Sequence, residues 1–299
     1  MNSGSIFVQQ LINGLSLGSI YALIALGYTM VYGIVKLINF AHGDVMMVGA
    51  YAGYFVLVAV GASAFGMAGA FIAAMVLCGL LSILIERFAY RPLRESPRLN
   101  SLITAIAVEL ILQNLMRVLP FVGPDPRQFP TMETKNFTLG ILSISNLQLV
   151  VIISSAVLMV LLNFLVTKTK TGKAMQAVSY DLKASALMGI NVNRIIAVTF
   201  VVGSVLAGAG GVLYATAYPQ VDPVMGYIPG LKAFVAAVLG GIGSIPGAMA
   251  GGVILGIAET LTKGYLSSQY ADAISYIILI VILLVKPAGL FGKKTTVKV

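Results

Sequence analysis

Eight long apolar stretches, separated by short polar linkers, constrain the fold of this 299-residue chain more than any other feature. Hydrophobic residues make up 59% of the sequence and charged residues only 10%, which is too little polar surface for a water-soluble domain of this length. A helix of roughly 20 apolar residues crosses a bilayer core about 30 Å thick. The sequence therefore predicts an all-α polytopic integral membrane protein, with a single transmembrane domain over residues 1–299. The predicted membrane helices span about 6–35, 40–60, 66–86, 99–119, 147–167, 194–217, 229–262 and 271–286.

The basic residues of the linkers predict how this bundle is oriented, because the cytoplasmic loops of membrane proteins are enriched in Lys and Arg. The linkers 86–98 and 168–194 and the C-terminal tail are basic, so we expect them to be cytoplasmic. The linker 120–146 holds few basic residues and is expected to lie outside.

A single crossing at 229–262 would leave the basic tail outside, which contradicts this orientation. The Gly-rich stretch 239–247 removes the conflict if it breaks the run into two shorter helices. The N-terminus then lies outside and the tail inside. Broken backbone at membrane depth must be satisfied by protein or water, so we expect this break to border a cavity.

The segment 168–193 is too charged to cross a bilayer, yet its apolar and small residues recur at helical spacing. We predict a short cytoplasmic helix that presents one face to a soluble partner. The candidate contact residues are Ala174, Ala177, Asp181, Ala186 and Gly189.

The sequence carries no recognisable catalytic or cofactor-binding motif. Gly172 and Lys173 lack the earlier glycine of a phosphate-binding loop and follow no predicted strand. One His and one Cys cannot compose a zinc site. We therefore expect no catalytic residue, no metal and no cofactor in this chain. The net charge of +9 reports membrane orientation rather than nucleic-acid binding, because the basic residues lie between the apolar stretches.

A dense polar group, which includes Asn39, His42 and Asp44, lies where the second membrane helix begins. The free N–H groups and the positive dipole end of such a helix suit a carboxylate, so these residues are candidates for a substrate path. The alternative is a cap and turn at the cytoplasmic surface, with Asp44 paired to Lys36.

The predicted helix 99–119 carries a second polar group, formed by Glu109, Gln113 and Asn114. Residues four apart share one helix face, and a charge at mid-depth is costly unless it faces the bundle or water. These residues form either a polar wall of a substrate path or a clamp of hydrogen bonds and ion pairs between helices.

Two further sets of polar residues suggest structural roles. Glu259 and Lys263 are four residues apart, which predicts a solvated pair on one helix. Six tyrosines near the predicted helix ends are interpreted mainly as interfacial anchors. These are Tyr21, Tyr28, Tyr32, Tyr214, Tyr218 and Tyr227.

Five segments together resemble the membrane subunit of bacterial high-affinity branched-chain amino acid ABC importers. They are NGLSLGSIYAL at 13–23, GYTMVYGI at 27–34, INFAHGD at 38–44, GINVN at 189–193 and GGIGSIPGA at 240–248. The resemblance extends over nearly the whole chain, from about residue 7 to residue 292.

This resemblance implies a multi-pass permease of the bacterial inner membrane, surrounded by lipid and paired with a second, related permease. Two cytoplasmic ATPases would bind ATP for the pair, and a periplasmic binding protein would deliver leucine, isoleucine or valine. The segment 168–193 resembles the coupling helix that docks on an ATPase in such importers. It lacks the acidic residue that usually opens this helix but retains Gly189.

Other transport functions stay open at this point. Related permeases for urea share much of the pattern. An ion-coupled secondary transporter could use Asp44 or Glu109 as its ion site, and a passive channel could use the Gly-rich break as a filter. Both of these would function without ATP.

Overall fold

The computed structural model describes residues 3–36, 39–94, 96–139 and 142–292, and these residues form a helical bundle. Seven helices are long and apolar enough to cross a membrane, and two shorter apolar helices follow the sixth and seventh of them. This confirms the predicted all-α polytopic fold. The helices are α1 (Ser3–Val35), α2 (His42–Val60), α3 (Ala64–Ile85), α4 (Arg98–Val118), α5 (Asn146–Lys168), α6 (Lys170–Tyr180), α7 (Leu182–Leu187), α8 (Val192–Ala217), α9 (Tyr227–Gly240), α10 (Ile245–Tyr265) and α11 (Tyr270–Val285).

Short irregular elements join the long helices. A π-helical turn and a 3-10 turn, Glu86–Tyr90 and Arg91–Leu93, extend α3 towards α4. Four short strands form two antiparallel pairs in the loops. They are β1 (Arg127–Gln128), β2 (Asn136–Leu139), β3 (Leu142–Ser145) and β4 (Gln220–Val221), and they pair as β1 with β4 and β2 with β3.

Small residues set the distances between the long helices, because lipid gives apolar side chains no reason to prefer each other. Helix α1 is the most buried span and packs against α10 along its length. A Cβ atom added at Gly18 would lie 2.8 Å from the Cα of Val253, and one added at Gly49 would lie 2.5 Å from the Cα of Gly208. The close approach of these helices therefore depends on glycine at both positions.

The predicted break in the apolar run 229–262 is confirmed, and it lies between α9 and α10. Gly241 and Gly243 adopt positive φ angles of 103° and 95°, which glycine accepts without the steric cost of a Cβ atom. Ser244 then caps α10 by accepting a hydrogen bond from the Gly247 N–H. Neither cavity described below is lined by the break, and Gly241 packs closely against Gly289 and Gly292 at one end of the bundle.

The predicted cytoplasmic linkers meet at one end of the bundle, which we call the basic end. There Arg94 donates to Asn193, Tyr90 donates to Asn39, and the N–H of Leu290 donates to the carbonyl oxygen of Leu239. At the opposite end β1 pairs with β4, and the side chain of Gln9 exchanges hydrogen bonds with the backbone of Ser143. The start of α1 and the C-terminal segment therefore lie at opposite ends, as the charge pattern predicts.

The helices on either side of the middle of the chain repeat one packing pattern. The packing of α1 along α10 corresponds to the packing of α8 along α3. In the same way, the packing of α2 on α3 corresponds to the packing of α9 on α10. Helix α2 also contacts α8 as α9 contacts α1. Because α1 and α8 start at opposite ends of the bundle, α1–α4 and α8–α11 are arranged as inverted repeats, an arrangement common in transporters.

Candidate functional site

Two helices begin deep inside the bundle rather than at its ends. His42, the first residue of α2, packs against Gly27, which itself faces Gly203. Gly203 lies eleven residues into α8, about 17 Å from the basic end of that helix. Helix α9 begins at the same depth, because Gly226 and Gly230 are in close backbone contact with Gly43. The starts of α2 and α9 therefore meet near the middle of the bundle.

A cavity of about 270 Å³ lies where these two helix starts meet. Its walls come from α1, α2, α4, α9 and the loop before α2, and exposed Ile106 and Tyr227 border it on the outer side of the bundle. We call it the central pocket. The lining residues are Tyr28, Phe40, Gly43, Asp44, Ile106, Glu109, Gly226, Tyr227, Gly230 and Leu231.

Two carboxylates lie at the central pocket without a cation. Asp44 is 1% exposed and accepts hydrogen bonds from the side-chain amide of Gln113, at 3.2 and 3.4 Å. The same amide nitrogen lies 3.5 Å from the carboxylate of Glu109. No Lys or Arg pairs with either carboxylate in the part of the chain that the structure describes. A buried carboxylate without a cation either takes up a proton or binds a positively charged group.

The helix starts add a second kind of binding group. The N-cap residues of α2 and α9, Ala41 and Gly226, provide no side-chain hydrogen bond to the first turn of either helix. The positive end of the α9 dipole is directed at the pocket, which favours an anion there. The pocket thus combines a negative wall, a positive helix end and an apolar wall formed by Phe40, Ile106 and Leu231.

The predicted residues of the first polar group are only partly at this pocket. Asp44 lines it, but His42 is buried against the ring of Tyr28 at a centroid distance of 4.7 Å, and its Nε2 has no hydrogen-bond partner. Asn39 accepts a hydrogen bond from Tyr90 instead of lining the pocket. The alternative pairing of Asp44 with Lys36 is wrong, because Asp44 is bonded to Gln113.

The predicted residues of α4 divide in the same way. Glu109 lines the pocket, and Gln113 bridges Glu109 to Asp44. This group is therefore both a polar wall of the pocket and a hydrogen-bonded clamp between α4 and α2. Asn114 is exposed and donates to the carbonyl oxygen of Leu110 in its own helix, so it lies away from the pocket. Phe40, Gly226 and Gly230 were not predicted, because hydropathy does not indicate that two loops enter the bundle.

A second polar cluster, around Glu259, is buried in the bundle. Glu259 is 1% exposed, and its Oε1 accepts from Lys232 at 2.8 Å and from Lys263 at 2.7 Å. Its Oε2 accepts from the hydroxyl of Tyr21 at 2.9 Å, and Lys232 also contacts Asp272 at 2.6 Å. The prediction of a solvated pair is therefore wrong.

The predicted role of two tyrosines changes with this cluster. Tyr21 bonds Glu259 within the bundle, and Tyr28 is buried beside His42. Neither is an interfacial anchor. Lys232 was the signal that could have revealed the cluster, since a charge inside an apolar run requires a buried partner.

The segment 168–193 forms two helices rather than the one predicted. Asp181 ends α6 and caps α7 by accepting from the N–H groups of Lys183 and Ala184. Ala174 and Ala177 are half-buried on α6, whereas Asp181, Ala186 and Gly189 are exposed around α7. The apolar side chains of Leu187 and Met188 are 88% and 83% exposed at the basic end.

The inverted repeats and the polar pocket at their meeting point define a class, the membrane transport proteins. The family described as "Branched-chain amino acid transport system / permease component" matches residues 10–283. The chain belongs to this permease family.

The relatives agree with this assignment. The chain is 43% identical over 303 residues to LivH of Salmonella typhimurium and to LivH of Escherichia coli strain K12, with 98% of each chain covered. It is 42% identical over 305 residues to BraD of Pseudomonas aeruginosa, again with 98% of each chain covered. All three are high-affinity branched-chain amino acid transport system permease proteins. No solved structure gives a significant match.

The family assignment confirms several predictions made from the sequence. The chain is a multi-pass permease of the inner membrane that serves an ABC importer. It is a transport subunit and not an enzyme, and it works with ABC transporter partners.

Proposed function

We propose that this permease carries branched-chain amino acids through the central pocket. The observation that carries the proposal is the pair of carboxylates, Asp44 and Glu109, which face the pocket without a cation among the described residues. An α-amino acid brings the ammonium group that such a site requires. The LivH and BraD relatives are branched-chain amino acid transport permeases, which supports the same substrate class.

Each part of a hydrophobic amino acid has a matching wall in this pocket. Its ammonium group lies against Asp44 and Glu109, and its carboxylate faces the uncapped start of α9. Its side chain contacts Phe40, Ile106 and Leu231. Met46 and Met47 of α2 are fully buried in the bundle and do not line the pocket.

A second, related permease covers the open side of the pocket. Ile106 and Tyr227 are exposed there although they belong to the site, so a single chain leaves the site incomplete. A periplasmic binding protein delivers the amino acid at the end that carries the β1–β4 pair.

Two cytoplasmic ATPases supply the energy by binding and hydrolysing ATP at the basic end. Helices α6 and α7 are the docking segment, and exposed Leu187 and Met188 are its apolar contact residues. Large apolar side chains exposed outside the membrane indicate a protein interface. Nucleotide-driven closure of the ATPases then moves this segment and switches the access of the central pocket.

Transport by the assembled importer in proteoliposomes tests this proposal. Asp44→Asn keeps the shape of the side chain but removes its charge, so leucine uptake should fall at least tenfold while the ATPases still copurify. Asp125→Asn, an exposed change in the loop after α4, is the matched control and should keep normal uptake. Normal leucine uptake by Asp44→Asn, or uptake by this chain alone without ATP, would contradict the proposal.

A further inference from the structure

A second cavity, of about 350 Å³, lies at the end of the bundle opposite the basic end. It is enclosed by α1, α5, α8 and α10 and shares no lining residue with the central pocket. We call it the outer cavity. The proposed transport through the central pocket gives this cavity no role.

One side of the outer cavity is cationic. The side chain of Lys263 is 34% exposed and lines the cavity, and its Nζ bonds Glu259. That carboxylate is shared, because the same oxygen accepts from Lys232 and the other oxygen accepts from Tyr21. Glu259 therefore neutralises Lys263 only in part. Lys263 is the end of a chain of four alternating charges, and it is the member that faces the cavity.

The remaining walls are polar on one side and apolar on another. Gln10 and Asn13 of α1 present side-chain amides, and among the described residues the Oε1 of Gln10 accepts one hydrogen bond, from Asn13. The hydroxyl of Ser16 lines the cavity and makes no hydrogen bond within the described residues. Leu17 and Leu147 supply the apolar wall.

We propose that the outer cavity is a second binding site, which takes a small amphipathic amino acid before it reaches the central pocket. Lys263 pairs with the carboxylate, the Oε1 of Gln10 accepts from the ammonium group, and Leu17 and Leu147 contact the side chain. The inference rests on the proposed amino acid transport. It adds a residue, Lys263, that binds the group opposite in charge to the one bound by Asp44.

Equilibrium binding of radiolabelled leucine to the purified importer in nanodiscs tests this site. In an Asp44→Asn background, which removes one of the two carboxylates that bind the ammonium group in the central pocket, leucine should still bind. Adding Lys263→Gln should then weaken binding at least tenfold. Adding Lys135→Gln, an exposed lysine in a loop at the same end, should leave binding unchanged.

A second variant guards against disturbance of the buried charges. Leu147→Phe fills the cavity from α5 without touching Glu259, and it should also weaken leucine binding in the Asp44→Asn background. Loss of all leucine binding on Asp44→Asn alone would overturn this inference and leave the proposed function standing. Failure of the unmodified importer to transport leucine would instead overturn the proposed function.

The charge of Lys263 also suits the phosphate of a lipid headgroup, so the same measurement needs a lipid arm. Binding is compared in nanodiscs of phosphatidylcholine and of phosphatidylglycerol. Equal leucine affinity in the two lipids supports an amino acid site. If leucine binding is insensitive to Lys263→Gln while retained phosphatidylglycerol falls in mass spectra, the cavity holds lipid and the inference is wrong.

Discussion

At the scale of single residues, some buried polar contacts can be predicted from the sequence and others cannot. Asp44, Glu109 and Gln113 were predicted because each interrupts an apolar helix, and the structure brings them together. The contacts of Lys232 with Glu259 and Asp272 were not predicted, because the three residues come from different helices. Spacing along one helix identifies a shared face, but it does not identify what packs against that face.

Gln113 is expected to hold the carboxylate of Asp44 in place. Its amide is the only side-chain donor to Asp44 among the described residues, so Gln113→Leu leaves a buried acceptor unsatisfied. Such a loss costs about 1–3 kcal/mol. Thermal unfolding in detergent should show a lower melting temperature for Gln113→Leu. The neighbouring exposed change Asn114→Leu is the control, and equal melting temperatures would contradict the assigned contact.

Lys232 is expected to be the most sensitive lysine in the chain for stability. Lys232→Met removes one of the two lysines that contact Glu259, and it also removes the cation that contacts Asp272. Breaking a buried ion pair in this way costs about 3–5 kcal/mol of stability. Replacing Glu259 by Gln in the same chain should recover part of that loss, because the buried carboxylate, which keeps only Lys263 among the described cations, no longer carries a charge. Thermal unfolding checks both variants, with exposed Lys286→Met as the control. A single variant as stable as the control would refute the buried network.

At the scale of elements, apolar run length predicts the spans well but not their depth. Helix α5 begins and ends within a few residues of its predicted bounds, and α10 begins at the predicted break. The deep starts of α2 and α9 were not predicted, because hydropathy reports what a segment contacts and not how far along the bundle it begins. The division of 168–193 into two helices was also missed, although Asp181 is a strong N-cap residue.

The contact between the starts of α2 and α9 is expected to require glycine. A Cβ atom at Gly43 would overlap the backbone of Gly226, so Gly43→Ala forces the two helix starts apart. The change should cost about 1–3 kcal/mol and should lower leucine uptake, because these starts form the pocket. Gly33→Ala is the matched control, since its Cβ would lie at an ordinary 3.6 Å from Gly243. Equal uptake by the two variants would contradict the role of this contact.

Changes in the docking segment are expected to affect binding of the ATPases without affecting the stability of the chain. Leu187 and Met188 are almost fully exposed, so replacing both by Ser removes apolar contact area without a loss of core packing. The double variant should keep the melting temperature of the isolated chain and should lose the copurifying ATPases. Lys183→Ser, an exposed change on the same helix, serves as the control. Retention of the ATPases by the double variant would move the docking surface elsewhere.

At the scale of the whole molecule, the charge of the linkers determines the topology and the inverted repeats determine the site. The positions of Lys and Arg correctly predict which linkers share an end. The inverted arrangement was not predicted, since it depends on which helices pack together and not on the composition of the linkers. Their meeting point, at Gly43 and Gly226, is where the central pocket forms.

Substrate protection of a cysteine in the central pocket tests whether the amino acid binds there. Cys78 is the only cysteine, so Cys78→Ala gives a background without thiols. Ile106→Cys places a thiol in the pocket wall, and Leu115→Cys places an exposed control thiol on the same helix. The importer is labelled with a maleimide, with and without leucine. We predict that leucine slows labelling at position 106 several-fold and leaves position 115 unchanged; equal rates at position 106 with and without leucine would contradict transport through the central pocket.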